Sequence, residues 1–171
     1  MSDGSEDEYV EYVSARVPAL RRLAFMLSGD GHRADDLVQQ TITTLYVKWG
    51  RARTADNLDA YVRTMLVRTY LDEKRLAWAR VRLFRETPEP PPAEEQTGSV
   101  EDRQVVRAAL SRVPRRQRAV LVLRFFYDLP VEEVAAMLGC SDGTVKSQTS
   151  RGLTTLRALL DNRSLVRRPA A

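Results

Sequence analysis

Cysteine and histidine are almost missing from this chain, which has one of each, Cys140 and His32. One cysteine excludes an internal disulfide framework, and the two residues together supply too few soft ligands for a usual zinc site. Catalysis by a Cys/His pair requires these two to meet, and Cys140 falls in a turn between two helical patterns, where a small half-buried residue is the simpler reading. No apolar run reaches the length of a membrane span, and the acidic start, MSDGSEDEY, lacks the basic and apolar stretches of a secretory signal. A cytoplasmic protein without membrane insertion is expected. A glycine-rich phosphate loop of the Walker type is missing too, and no nucleophile has a base close by in sequence. Nothing positive therefore supports an enzyme, a cofactor or a small-molecule substrate.

What the chain has is charge, unevenly spread. Lysine and arginine number 27 against 23 aspartates and glutamates. Residues 1–8 carry four acids and no base, and residues 86–102 carry six acids and no base, so the rest holds 27 bases against 13 acids. The foldable parts are thus basic, as a nucleic-acid binder requires, and the acidic tracts read as solvated tail and linker. With 171 residues, 43% of them hydrophobic, the chain can build one ordinary domain or two small ones.

The stretch Leu129–Arg157, LPVEEVAAMLGCSDGTVKSQTSRGLTTLR, reads as two short helices around a tight turn. Pro130 suits a first helical position, and Glu132 and Glu133 sit where the helix dipole favours negative charge. Val131, Val134, Ala135 and Leu138 share a face, Gly139 ends that helix by adopting positive φ, and Ser141 caps the next. In the second helix Val145, Thr149, Leu153, Leu156 and Leu160 point inward. Thr144, Lys146, Ser147, Ser150, Arg151 and Thr154 point out, with no acid after Asp142. Short hydroxyls and cations on one helix face suit DNA, since Lys and Arg neutralise phosphates or reach guanine edges. An ordinary helical hairpin with a wet polar face is the competing reading of the same pattern.

Upstream, residues 1–8 read as a disordered tail, and Tyr9 to Leu27 as an amphipathic helix with Pro18 as a candidate kink. Ser28–Arg33 reads as a turn, and Ala34–Trp49 as a second helix with Asp35 and Asp36 in its first turn, a usual site of dipole compensation. Residues 50–57 form a loop with Arg51 and Arg53, followed by a helix over Leu58–Trp78. Lys74–Arg85 then carries five bases and no acid, interleaved with Trp78 and Phe84. Such a run either tracks phosphates and stacks on unpaired bases, or is a solvated helix end with Trp78 in the core. Thr87–Ser99 holds four of the eight prolines and one aliphatic residue, Ala93, which makes it an extended tether. Val100–Arg112 and Arg115–Phe126 read as two more helices, the second opened by Pro114 and packing Ala119, Val120, Leu123 and Phe126 inward.

GCSDGTVKSQTSRGLTTLR resembles the second half of region 4 of the extracytoplasmic-function sigma factors of bacterial RNA polymerase, in their SigE-type branch, and LSRVPRRQRAVLVLRFFYDLPVEEVAAMLG resembles the first half. DDLVQQTITTLYVKW is similar to the region 2.2 helix, and LDAYVRTMLVRTYLDEKRLAW to regions 2.3 and 2.4, so the resemblance spans Tyr9 to Leu160 except the tether. It implies an all-α chain of two small helical bundles joined by a Pro/Glu-rich flexible linker: an acidic tail at 1–8, region 2 at 9–86, linker at 87–99, region 4 at 100–162 and a basic tail at 163–171.

The resemblance further implies contacts. The −35 element is assigned to Thr144, Lys146, Ser147, Gln148, Ser150 and Arg151, with Gln148 where Arg often stands. The −10 element is assigned to Arg51, Arg53, Asn57, Tyr61, Arg63, Arg68, Lys74, Arg75 and Trp78, with Arg68 where many relatives have Asn. The β′ clamp helices of core polymerase are assigned to Asp35, Asp36, Leu37, Gln39, Gln40 and Thr43, with Gln40 where Glu is usual. The implied partners are core polymerase, through β′ clamp and β flap, promoter DNA and an anti-sigma factor. Two rival readings are a stand-alone dimeric helix-turn-helix regulator and an interaction protein that uses the 9–49 helices without touching DNA.

Overall fold

A computed structural model of the protein describes residues 3–80 and 100–166, with side chains described over 4–73 and 100–162. Among the described residues the architecture is all helical, divided into one unit within Met1–Pro90 and another within Pro91–Ala171. The tether expected at 87–99, and with it Phe84, lies outside the described residues, as does the end of the basic tail.

The first unit packs α1 (Asp3–Ser28), α2 (Gly31–Val47), the short α3 (Trp49–Ala52) and α4 (Leu58–Arg80). Its core takes Leu20, Leu23, Ala24 and Leu27 from α1, Ala34, Leu37, Val38 and Leu45 from α2, Trp49 and Ala52 from α3, and Val62, Leu66, Val67 and Tyr70 from α4. These are the positions at which helical spacing places apolar side chains on one stripe. Gly29, at φ 73°, ends α1, and the Asp30 carboxylate accepts from the Arg33 backbone N–H at 2.9 Å to start α2. The second helix therefore begins three residues before Ala34. Asp30 is its cap, and Asp35 and Asp36 lie beyond its first turn.

Two further boundaries differ from the sequence reading. Helix α1 starts at Asp3 rather than Tyr9, because its opening turns are held down: Ser5 is buried and the Tyr9 hydroxyl donates to the Ile42 carbonyl at 2.8 Å. Pro18 does not interrupt α1; it sits on the exposed side, where water can reach the carbonyl that a proline leaves without its N–H. Within 50–57, residues up to Ala52 complete a single helical turn.

The second unit comprises α5 (Val100–Leu110), α6 (Arg115–Leu121), a wide turn over Val122–Phe126, α7 (Val131–Leu138) and α8 (Asp142–Val166). The segment 115–126 is not one α-helix. The Tyr127 N–H reaches back five residues to the Val122 carbonyl at 3.2 Å, and this wider winding turns Phe126 out. Phe126, expected inside, is exposed, as is Phe125. Arg118 is the buried charge of this unit, and it is satisfied: its guanidinium donates to the Val113 carbonyl at 2.9 Å and to the Ser111 carbonyl, closing the turn after α5.

Gly152, in the middle of α8, is buried against α6. A Cβ there would lie 3.1 Å from Leu121 and 3.3 Å from the Gln117 Cβ. Gly152→Leu is therefore expected to destabilise the protein by about 1–3 kcal/mol through overpacking, read as a lower denaturation midpoint with an unchanged slope.

Candidate nucleic-acid and partner-binding surfaces

The helix pair of the second unit is built by its turn. Pro130 occupies the N-cap of α7, extended at ψ 159°, one position before the first helical position that the sequence suggests for it. Gly139 adopts φ 61° and ψ 43°, a left-handed conformation that a side chain would strain, and the Cys140 N–H closes the end on the Ala135 carbonyl at 3.0 Å. The Ser141 hydroxyl then accepts from the Thr144 N–H at 3.1 Å and fixes the start of α8. Val145 is buried behind this start.

On the opposite face Lys146, Ser147, Ser150 and Arg151 are exposed, while Thr144 and Gln148 are half-buried. The side chains of Lys146 and Arg151 have no hydrogen bond or ion pair among the described residues. Thr144 shares a hydrogen bond with Ser141 at 2.9 Å, and Ser147 donates to the Thr144 carbonyl at 3.0 Å, so these two hydroxyls also serve the helix end. The arrangement presents two unneutralised cations within one and a half turns of a helix, a spacing suited to phosphates and base edges.

The candidate residues of the first unit are less uniform. Arg51 is exposed and its side chain has no partner among the described residues. Arg53 is paired with Glu8 at 3.1 Å. Asn57 caps α4, its carbonyl oxygen accepting from the Ala60 N–H at 2.9 Å, so its first role is local. Tyr61 and Arg63 are half-buried and Arg68 is exposed. Lys74, Arg75 and Trp78 belong to α4, and their side chains lie outside the described ones.

Along α2, Asp36, Gln39, Gln40 and Thr43 are exposed at spacings of three and four and form one polar stripe. Leu37 does not join them; it is wholly buried, because its position falls on the core stripe with Ala34, Val38 and Thr41. Asp35 is exposed but engaged: Arg21 Nε meets Oδ1 at 2.5 Å and Arg21 Nη2 meets Oδ2 at 3.2 Å. That hydrogen-bonded guanidinium holds the Asp35 carboxyl below the usual carboxylate range. The stripe continues onto Tyr46 and Val47, both exposed.

The sequence reading missed the network that ties the start of α4 to α1. The Tyr12 hydroxyl donates to Asp59 Oδ1 at 2.9 Å, and Arg16 holds Asp59 Oδ2 at 2.9 Å. Partial burial, reinforced by the hydrogen bond to Asp59, pushes the Tyr12 hydroxyl well above the ordinary tyrosine range. Only the i, i+4 spacing of Tyr12 and Arg16 on α1 is visible in sequence; their partner lies 47 residues away from Tyr12.

Comparison with known proteins gives the family. Residues 12–80 match the family profile of sigma-70 region 2, and residues 103–156 match that of sigma-70 region 4. The RNA polymerase sigma-E factor of Streptomyces avermitilis is 36% identical over 169 residues, covering 96% of this chain and 92% of that protein. The ECF RNA polymerase sigma factor EcfG of Rhodopseudomonas palustris is 34% identical over 158 residues, covering 90% and 86%. This chain belongs to the extracytoplasmic-function sigma factors. As a sigma factor it directs transcription initiation by bacterial RNA polymerase.

A solved structure agrees in fold: the sigma factor RpoE of Bartonella quintana, crystallised in complex with the anti-sigma factor NepR, aligns at a TM-score of 0.73 with 31% identity, covering 90% of this chain and 97% of that one. In this sigma factor the region 2 match contains the α2 stripe and the Tyr12–Asp59 network, and the region 4 match contains the helix-turn-helix. Among the described residues no helix is long and apolar enough to cross a membrane.

The network makes a pH prediction. A tyrosine whose folded pKa is raised stabilises fully below the unfolded value of about 10 and loses that contribution as pH rises above it. Tyr12→Phe is expected to cost about 1 kcal/mol at neutral pH and to make the alkaline loss of stability shallower, measured by denaturant unfolding from neutral to alkaline pH.

Proposed function

We propose that this sigma factor grips polymerase and promoter through three separate surfaces. The exposed α2 stripe, Asp36, Gln39, Gln40 and Thr43 with Asp35 at its edge, meets the β′ clamp helices. The face of α8 bearing Thr144, Lys146, Ser147, Gln148, Ser150 and Arg151 reads the −35 element. Arg51, Arg53, Asn57, Tyr61, Arg63, Arg68, Lys74, Arg75 and Trp78 hold and open the −10 element. Leu37 supports the clamp surface from behind rather than touching it.

The observation that carries this reading is the pair of uncommitted cations on α8, presented within a capped helix-turn-helix inside the region 4 match. Residues 9–86 and 100–162 act as the two binding modules, with 87–99 as tether and 163–171 as basic tail. The protein acts in the cytoplasm as a binding subunit with no reaction of its own and no cofactor. Its likeness to the Bartonella quintana sigma factor, crystallised with an anti-sigma factor, supports control by a partner of that kind, and the β flap is the expected polymerase contact of region 4. A stand-alone dimeric regulator leaves the region 2 match without a role.

Run-off transcription with reconstituted holoenzyme tests this. The wild-type chain should confer template-dependent initiation on core polymerase and bind promoter DNA poorly alone. Lys146→Ala and Arg151→Ala should each weaken holoenzyme binding to the upstream element and, for a phosphate contact, lower the salt slope by about 0.9. Tight, sequence-specific binding by the isolated chain defeats the proposal.

Charge reversal checks the clamp surface separately. Asp36→Lys combined with Gln39→Lys should abolish co-purification with core while leaving the thermal midpoint unchanged, since both side chains are exposed. Retained core binding would remove the α2 stripe from the interface.

A further inference from the structure

The acidic start of α1 carries Asp3, Glu6, Asp7, Glu8 and Glu11, with no base before Arg16. A run of acids at a helix start is ordinarily dipole compensation and solvation. Here one member has a specific partner. Glu8 Oε2 lies 3.1 Å from Arg53 Nη1, across 45 residues of sequence, and Arg53 is one of the cations assigned to the −10 element.

Both ends of this pair are fixed by packing. One residue after Glu8, the Tyr9 ring lies edge-on to Tyr46 at 5.2 Å and to Trp49 at 5.4 Å, and its hydroxyl is bonded to the Ile42 carbonyl. Trp49 is buried, and the Arg53 N–H bonds to its carbonyl at 2.9 Å just past the short helix α3. The carboxylate is therefore delivered to Arg53 by a rigid helix. Yet the pair is open to water, with the side chains 56% exposed at Glu8 and 42% at Arg53, so another anion can displace the carboxylate without unpacking anything.

A phosphate and a carboxylate compete for the same fork of guanidinium donors. The neighbouring cation Arg51 is exposed and has no such counter-ion. We infer that Glu8 is an intramolecular competitor of promoter DNA: it occupies Arg53 in the free protein and gives it up when the −10 strand arrives. This rests on the assignment of Arg53 to that strand. The contact thereby lowers affinity for nucleic acid in general, and correctly placed promoter DNA regains Arg53 only by displacing Glu8.

The test uses holoenzyme and a forked promoter DNA with a single-stranded non-template −10 segment, titrated over a range of KCl concentrations. Glu8→Gln should tighten binding about two- to fivefold, the range of an exposed ion pair, with the salt slope close to that of wild type, because Arg53 meets the strand in both complexes. Arg53→Gln should weaken binding, and Glu8→Gln should add nothing in the Arg53→Gln background. Glu11→Gln, which removes one charge from the same exposed helix, should leave the affinity within error of wild type. Unchanged or weaker binding by Glu8→Gln overturns the inference, as does equal tightening by Glu11→Gln or tightening that survives in the double variant. An Arg53→Gln holoenzyme that binds and initiates like wild type overturns the assignment of Arg53 itself, whereas loss of all core-dependent initiation by the wild-type chain overturns the functional reading beneath it.

Discussion

The close approach of α8 to α6 at Gly152 is the constraint on which the second unit turns. With no Cβ at that position, Leu121 and Gln117 come within about the limit of ordinary contact, and α8 lies directly on the core rather than standing off it. Val145, a little under two turns earlier, is buried on the same side. Once these two residues are pinned inward, the rotation of α8 is settled, and Lys146, Ser150 and Arg151 have nowhere to point but out. The left-handed Gly139 and the Ser141 cap decide where the helix begins; the contact at Gly152 decides which way it faces. An exposed face made of small hydroxyls and two cations has little geometry of its own, so its orientation depends on this backing.

In the first unit the same division of labour is carried by ion pairs. Arg16 with Asp59, Arg21 with Asp35, Arg33 with Glu73 and Arg53 with Glu8 each join segments distant in sequence. All but the partly buried Glu73 are substantially exposed, and exposed pairs contribute little to stability by themselves. Their consequence is to sort the charged residues. Asp35 is claimed by Arg21 and its neighbour Asp36 is not, although the two are adjacent in sequence and alike in chemistry. Of the arginines near the 50–57 loop, Arg53 is claimed and Arg51 is left open. A basic chain thus exposes only a selected part of its charge to a polyanion, which favours placement over indiscriminate attraction.

Much of this was legible in the sequence, and most of the parts that were not share a physical cause. The turn chemistry of Gly139 and Ser141, the inward stripe through Val145 and the helix over Leu58–Trp78 all follow from local rules that a single segment obeys alone. Most of the failures required a partner from elsewhere. Helix α1 extends to Asp3 because Tyr9 is anchored on α2 and Glu8 on Arg53. Helical spacing puts Leu37 on the apolar stripe, where it is buried, and only the family resemblance lists it with its polar neighbours as a clamp contact. Phe126 was assigned inward on a continuous helical period, and a single wide turn shifted that period. Gly152 carried no local signal at all, since a glycine in a helical pattern reads as a weakness until the neighbouring helix is known. Arg118 read as one more base in a basic run, yet it is buried and closes the turn after α5.

These errors bear on how the candidate surfaces work. Each local rule acts within one helix, whereas each surface is set by a contact between helices: Gly152 on Leu121 for α8, Tyr12 and Arg16 on Asp59 for the start of α4, Tyr9 on Trp49 for the loop after α3. Two units this small offer only modest faces, and neither face needs to be strong if both act in one chain, because the second contact then forms at an effective concentration set by the first. Weak, well-oriented contacts suit a subunit whose role is to start transcription rather than to stay bound. On the proposed assignment of these faces, strengthening any one raises affinity for its own ligand wherever it occurs, including on the wrong DNA, whereas affinity that arises from joint engagement exists only where polymerase and both promoter elements coincide. The packing that orients each face is therefore also what makes recognition depend on all of them.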